Sequence, residues 1–191
     1  MMGIKRGVFR KDLKNRKDAR MRIMKCLIVF CIVFCASQAQ AQTPTQAEAF
    51  TKSFYAWYTQ EGKDRSVESV LLHKKEVLSP TLYKLLKEDR DAQAKVPGMI
   101  VGLDFDPFLN TQDAAQNYKV EKAIQKSTNY WVDVYALWNG VKSKKPALSA
   151  EVSCTNATCQ FVNFHYVFDI PENRNVIQIL KVLQKERKAG K

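Results

Sequence analysis

The sequence predicts an α+β fold in which N-terminal helices pack on a curved antiparallel sheet and a further helix closes the chain. Apolar residues recur every three or four positions before residue 95, and every second position between residues 120 and 168. The helical spacing returns near the C-terminal end. Because the runs of helices and of strands are unmixed, they define the α+β class.

The first predicted helix begins at a capping box. Thr45 and Glu48 are three positions apart, the spacing at which two side chains satisfy the free backbone groups of a helix start. We expect this helix to end near residues 61–62. Its inward face carries residues at helical spacing, namely Ala47, Phe50, Phe54, Trp57 and Tyr58.

Two more helices follow. One is expected to start near Ser66 and to break near Leu78. In the next, Ser79 caps the helix and Pro80 takes its first position. The inward residues of these two helices are Val67, Val70, Leu71, Leu82, Leu85 and Leu86. Residues 87–95 are polar, and we expect them to be solvated.

A structured loop is predicted at residues 98–114. Its polar side chains are Asp104, Asp106, Asn110 and Asp113. Such a cluster suggests calcium, because hard cations prefer several oxygen ligands. However, Phe108 and Leu109 stand where an EF-hand needs a ligand and a glycine. We therefore expect the polar side chains to cap backbone groups in turns, and we predict no metal or cofactor.

The sheet is predicted from period-2 alternation. The expected strands are residues 120–124, 130–138, 148–154 and 159–168. Asn139-Gly140 predicts a tight turn after the second of them. A closing helix at about residues 173–188 would bury Val176, Ile179, Leu180 and Leu183.

Cys154 and Cys159 are predicted to form a disulfide at the loop end of the last hairpin. An even pair of cysteines is typical of a disulfide in an exported chain. So short a loop would stabilise the fold by about 2 kcal/mol at most. A redox or metal role is disfavoured because the spacing is CxxxxC and no partner ligands stand nearby.

The strands present two different faces. The expected apolar rows are Tyr130, Val132, Val134, Ala136 and Trp138 on one strand, and Val162, Phe164, Tyr166 and Phe168 on another. On the opposite faces, Asp133 lies with Trp131 and Tyr135, and Asn163 and His165 lie with Phe161 and Val167. These aromatic and polar residues could line a binding pocket, and Asp133 with His165 could form a general acid–base pair.

The N-terminal region has the three parts of a secretory signal peptide. Arg22 and Lys25 precede an unbroken apolar run of 11 residues, and small residues up to Ala41 follow it. The run is short of the roughly 20 residues that cross a bilayer as a helix. We therefore expect residues 1–41 to be removed after Ala41, a true start at Met21, a periplasmic location and no stable membrane insertion afterwards.

Two alternatives to this cleavage are a lipid anchor and an uncleaved signal anchor. Phe30 and Phe34 precede Cys31 and Cys35, where a lipid-modified cysteine needs a small neighbour. A signal anchor would need a longer apolar run, and it would lack the small residues that follow the run here. Both alternatives are disfavoured.

Most of the excess positive charge belongs to the leader. Residues 1–41 hold ten of the 31 Lys and Arg residues and two of the 19 Asp and Glu residues, so their removal lowers the net charge from +12 to +4. The remaining charges are spread without a cluster, and no nucleic-acid partner is expected. Residues 42–191 are long enough for one hydrophobic core, and we expect a single domain.

The stretch at residues 103–113 resembles a family of bacterial exported proteins, the domain-of-unknown-function family 3828. The residues that carry the resemblance are Asp104, Asp106, Pro107, Phe108, Gln112 and Asp113. Membership implies a cone-shaped sheet wrapped by helices, similar to nuclear transport factor 2, and an envelope location without an assigned reaction. The chain lacks the lipid-anchor motif of some members.

Three functions remain open. The chain contains no nucleophile elbow, phosphate-binding loop or zinc-ligand spacing, so a non-enzymatic periplasmic module that binds an envelope protein or a small ligand is expected first. A more specific form of this binding function is an immunity protein that neutralises a periplasm-directed toxin. The enzymatic alternative is a lyase or isomerase with Asp133 and His165 in a pocket. Trp131, Tyr135, Asn163 and His165 are the expected binding residues.

Overall fold

Four α-helices and a five-stranded antiparallel sheet make up the described part of the chain, so the α+β class is confirmed. The computed structural model describes residues 43–62, 64–113, 115, 117–156, 158–166 and 174–190, all of which belong to one unit. The predicted signal peptide, its start and its cleavage site lie outside the described residues. None of the described helices is long and apolar enough to cross a membrane.

Short polar residues cap three of the four described α-helices. The four helices are α1 (Thr43–Tyr58), α2 (Val67–His73), α3 (Pro80–Gln93) and α4 (Val176–Lys188), and a short 3₁₀ helix spans Lys75–Val77. Ser79 caps α3 as predicted. The start of α2 lies near Ser66 as predicted, and Ser66 caps it, while Asn175 caps α4. Thr45 lies inside α1, which already includes Thr43, so the prediction of a capping box at Thr45 and Glu48 is wrong. Glu48 instead pairs with Lys52 one turn later in α1.

The strands form a meander with one short extra strand. They are β1 (Asn117–Lys126), β2 (Asn129–Trp138), β3 (Val141–Lys142), β4 (Leu148–Thr155) and β5 (Thr158–His165). Their order in the sheet is β1-β2-β4-β5, and β3 pairs with the end of β2. Asn139 and Gly140 both have positive φ, 49° and 78°, so they form the predicted tight turn. The sulfur atoms of Cys154 and Cys159 lie 2.00 Å apart, as expected for the predicted disulfide.

The core lies between α1 and one face of the sheet. Phe54 of α1 stacks on Tyr58 and meets Phe161 edge-on, with ring centroids 5.4 Å and 4.9 Å apart. Phe108, from the loop before β1, joins this cluster beside Phe164. All five rings are buried, so aromatic packing joins α1, the loop and β5.

The alternation along β5 differs from the prediction. Phe161 was expected on the face of Asn163 and His165, but it is fully buried on the core face together with Phe164. The reason is a β-bulge: Val152 pairs with Phe161 and Glu151 with Asn163, so Val162 has no opposite residue. One extra residue reverses the side-chain alternation beyond it.

The polar end of α3 also differs from the prediction. Asp89, expected to be solvated, is 3% exposed. Its carboxylate accepts hydrogen bonds from Arg187 of α4 at 2.7 Å and from the Leu103 N–H at 2.9 Å. A buried charge is tolerated when it is paired and hydrogen-bonded. This ion pair therefore fastens α3, α4 and the loop at residues 98–113 to one another.

Candidate functional site

The outer face, the side of the sheet opposite α1, brings most of the predicted site residues together. Its residues from β2, β4 and β5 are Trp131, Asp133, Tyr135, Ser149, Glu151, Asn163 and His165. The pairing places β4 between β2 and β5. The register sets Trp131, Glu151 and Asn163 in one row across the strands, and Asp133, Ser149 and His165 in the next.

Asp133 and His165 each bind a residue of the intervening strand. Asp133 accepts a hydrogen bond from the Ser149 hydroxyl. The Nε2 atom of His165 lies 2.8 Å from Glu151 Oε2. The expected Asp–His pair is therefore replaced by an Asp–Ser pair and a His–Glu pair. Glu151 was missed by the sequence reasoning, although its position two residues after Ser149 in a period-2 strand placed both on one face.

Trp131 is the centre of a connected network on the outer face. Its ring stacks on His165 with centroids 4.0 Å apart, and Lys126 Nζ lies 3.9 Å from its centroid. Glu151 holds the other side of His165 and also accepts a hydrogen bond from the Asn129 amide at 2.6 Å. These contacts fix the Trp131 and His165 rings in one orientation.

Tyr135 and Asn163, the other predicted binding residues, have separate partners. Lys142 Nζ lies 4.2 Å above the Tyr135 ring and also pairs with Glu121. Asn163 Oδ1 accepts hydrogen bonds from the N–H groups of Phe164 and Ile177. Asn163 thus links β5 to the start of α4, while Tyr135 belongs to the open surface.

A second polar constellation lies in the loop that contains Asp106-Pro107-Phe108. Three tyrosine hydroxyls donate to these three consecutive residues. Tyr58 donates to the Asp106 carboxylate at 2.8 Å. Tyr166 donates to the Pro107 carbonyl and Tyr55 to the Phe108 carbonyl, both at 2.7 Å. The tyrosines come from α1 and from the end of β5, so the loop is attached to both.

Asp106 is also the turn-capping residue predicted for this loop. Its Oδ1 accepts hydrogen bonds from the N–H groups of Phe108 and Leu109 at 2.8 Å and 3.2 Å. Burial raises the pKa of Asp106 to about 6, and its hydrogen bonds offset only part of this effect. Burial, followed by the nearby Asp106 charge, raises the pKa of Tyr58 well above its ordinary value. The tyrosine therefore stays a neutral donor.

An open cleft of about 670 Å³ borders this loop. Its walls come from the start of α2, one side of α3 and the loop itself. The polar and charged residues of its lining include Arg65, Asp89, Arg90, Asp104, Asp106 and Gln112. Asp113 is exposed and stands outside the lining. Within the described ranges, no group of three or more His, Cys, Asp or Glu side chains is placed to hold a metal ion.

Comparison with known proteins returns no relative. No family model matches the chain, and no curated protein and no solved structure is significantly similar to it. The resemblance to the domain-of-unknown-function family 3828 therefore stays a prediction.

Proposed function

We propose that the chain is an exported, non-enzymatic binding module that recognises a protein of the cell envelope through the outer face. The observation that carries this proposal is the Trp131 network. Its aromatic rings are held in place by charged neighbours on a sheet surface opposite the helix-packed face. Rigid aromatic side chains lose little conformational freedom on binding and are enriched at protein interfaces.

The apolar surface around this network supports a protein partner. Ile124 of β1 pairs with Trp131 across the strands and is 60% exposed. The aromatic side chains of Trp131 and Tyr135 have lysines as neighbours, namely Lys119, Lys126 and Lys142. The apolar centre of this surface therefore has a charged rim. This arrangement of a central aromatic anchor and a polar rim is typical of interfaces.

Export to the periplasm is the second part of the proposal. It is supported by the charged, apolar and small-residue segments of residues 1–41, and the cysteine pair at disulfide distance suits an oxidising compartment. A cone-shaped sheet similar to nuclear transport factor 2 is part of the same proposal. The enzymatic alternative is less favoured, since Asp133 and His165 are bound to Ser149 and Glu151 rather than to each other.

The test uses two tryptophans of β2. Trp131 lies on the outer face, whereas Trp138 lies at the end of the strand, beside the β2–β3 turn, and is 50% exposed. Tagged wild-type protein, Trp131→Ala and Trp138→Ala would each be incubated with envelope extract, after circular dichroism has verified folding. We expect one partner to be retained by the wild type and Trp138→Ala and lost with Trp131→Ala.

Equal capture by the two variants would contradict the outer-face proposal. A captured toxin would identify the immunity-protein version of this function. If the wild type retains no specific protein, the binding-module proposal fails.

A further inference from the structure

The cleft beside α3 contains a cation, Arg65, and an anion, Asp104, neither of which forms a close ion pair with a described side chain. Arg65 donates to the backbone carbonyls of Thr59 and Ala115, at 2.9 Å and 3.4 Å, and makes no ion pair in this part of the chain. Asp104 is exposed and has neither a hydrogen bond nor an ion pair with any described residue. Arg65 also interacts electrostatically with the buried carboxylate of Asp106, which lines the same cleft, so its charge is only partly balanced. Asp104 adds an anion that forms no ion pair with the described residues.

The other charged groups of the cleft have partners of their own. Asp89 is paired with Arg187, and Asp106 is bound by Tyr58 and two backbone N–H groups. Arg90 pairs with Glu68 only at the surface, where an ion pair is weak. Its Nε–H is buried and has no hydrogen-bond partner among the described residues. Arg90 therefore keeps an unused donor, and it lines the same cleft as Arg65.

Apolar side chains complete the lining. Leu103 and Phe105 are half-buried against the core, and Ile100 is 76% exposed at the edge of the cleft. A volume of about 670 Å³ is within the range of small-molecule sites. Cationic, anionic and apolar groups together match a small molecule with a carboxylate, an ammonium group and a hydrocarbon body.

We propose that this cleft binds a free amino acid with an apolar side chain. Arg65 and Arg90 bind its carboxylate, Asp104 binds its ammonium group, and its side chain packs on Ile100 and Phe105. Guanidinium groups suit a carboxylate because each of them can donate two parallel N–H···O bonds to its oxygen atoms. The site is separate from the outer face, so it can be present whether or not that surface binds a protein.

Calorimetric titration with matched probes tests the proposal. L-phenylalanine and L-leucine carry both charges, 3-phenylpropionate lacks the ammonium group, and 2-phenylethylamine lacks the carboxylate. We expect L-phenylalanine to bind at least about tenfold more tightly than either single-charge analogue, because each analogue leaves one charge of the cleft unpaired. Similar affinity for the three phenyl compounds would overturn the proposal, as would no binding of either amino acid at about 10 mM.

Two aspartates of the same loop provide a matched pair of variants. Asp104→Asn removes the anion of the cleft, and Asp113→Asn removes an exposed carboxylate outside it. Asp104→Asn should weaken L-phenylalanine binding by up to about fivefold, the most that an exposed charge contact contributes. It should leave the binding of 3-phenylpropionate, which has no ammonium group, unchanged. Asp113→Asn should change neither. If the two variants behave alike, Asp104 does not bind the ammonium group and the assignment is wrong.

Discussion

Asp106 in the loop and Glu151 on the outer face are both carboxylates with several hydrogen bonds, but their donors differ. Asp106 is bound by the Tyr58 hydroxyl of α1 and by two backbone N–H groups of its own loop. Glu151 is bound by two side chains of the sheet, the Asn129 amide and the His165 ring. The first set of bonds joins separate segments of the chain, whereas the second orients side chains on strands that the sheet already holds.

This difference separates a structural carboxylate from one suited to recognition. Loss of Asp106 would detach the loop from α1, and the same loop supplies Phe108 to the aromatic core. Loss of Glu151 would free the His165 ring beneath Trp131 but would leave every strand pairing intact. The two carboxylates therefore have different roles. The hydrogen bonds of Asp106 connect a loop to a helix, whereas those of Glu151 connect residues of the same sheet.

The largest effect is expected for Asp106→Ala. The change removes the acceptor of three hydrogen bonds and leaves their donors unpaired, which should lower the free energy of unfolding by about 2–3 kcal/mol. Urea denaturation measures this. Asp104→Ala is the control, because this exposed neighbour has no partner in the described structure, and it should change stability by less than about 0.5 kcal/mol. Equal losses for the two variants would refute the structural role of Asp106.

Arg187→Met tests the other attachment of the loop. The variant leaves Asp89, 3% exposed, without its cation. Because the Arg187 side chain is 20% exposed, we expect a loss of about 2 kcal/mol in the free energy of unfolding, less than for a fully buried pair. Lys185→Met on the exposed side of α4 is the matched control and should have little effect. Thermal unfolding compares them. An unchanged melting temperature for Arg187→Met would mean that the buried ion pair contributes nothing.

The pH dependence of stability isolates the charge on Asp106. Its pKa is raised from 3.8 to about 6 in the folded protein, so the folded state binds more protons than the unfolded state between these values. Stability from this group is therefore greatest at low pH, and it falls as the pH rises from about 4 to 6.

Asp106→Asn should remove this dependence, because the amide oxygen can accept the same backbone bonds and its NH₂ group can donate to Tyr58. Between pH 4 and 7 the wild type should lose about 1–2 kcal/mol more than the variant. Denaturant titrations at several pH values measure the difference. Parallel profiles for the two proteins would show that the carboxyl titrates at its ordinary pKa.

Local features of the fold could be predicted from the sequence, and contacts between distant segments could not. Ser79-Pro80 and Asn139-Gly140 determine a helix start and a turn through their own backbone preferences. The Asp89–Arg187 pair joins residues 98 positions apart, and no periodicity indicates which charges meet. The prediction that residues 87–95 are exposed to solvent was based on their polar composition alone, and composition does not show that Asp89 is buried beside Arg187.

The candidate site shows the same limit. Trp131 and His165 were predicted on open strand faces, and period-2 alternation placed them there. Their mutual stacking depends on the order β2-β4-β5, which the sequence does not contain. The bulge at Val162 brought Phe161 into the core, because a single unpaired residue changes the alternation.

The smallest effect is expected for Glu151→Ala, and it is the direct counterpart of Asp106→Ala. Asn129 and His165 would lose an acceptor, but both lie on a face opposite the core where water can replace it, so the free energy of unfolding should fall by less than about 1 kcal/mol. Urea denaturation under the conditions used for Asp106→Ala gives the comparison. If Glu151→Ala costs as much as Asp106→Ala, the Glu151 network stabilises the fold, and its value for recognition would have to be established by partner binding alone.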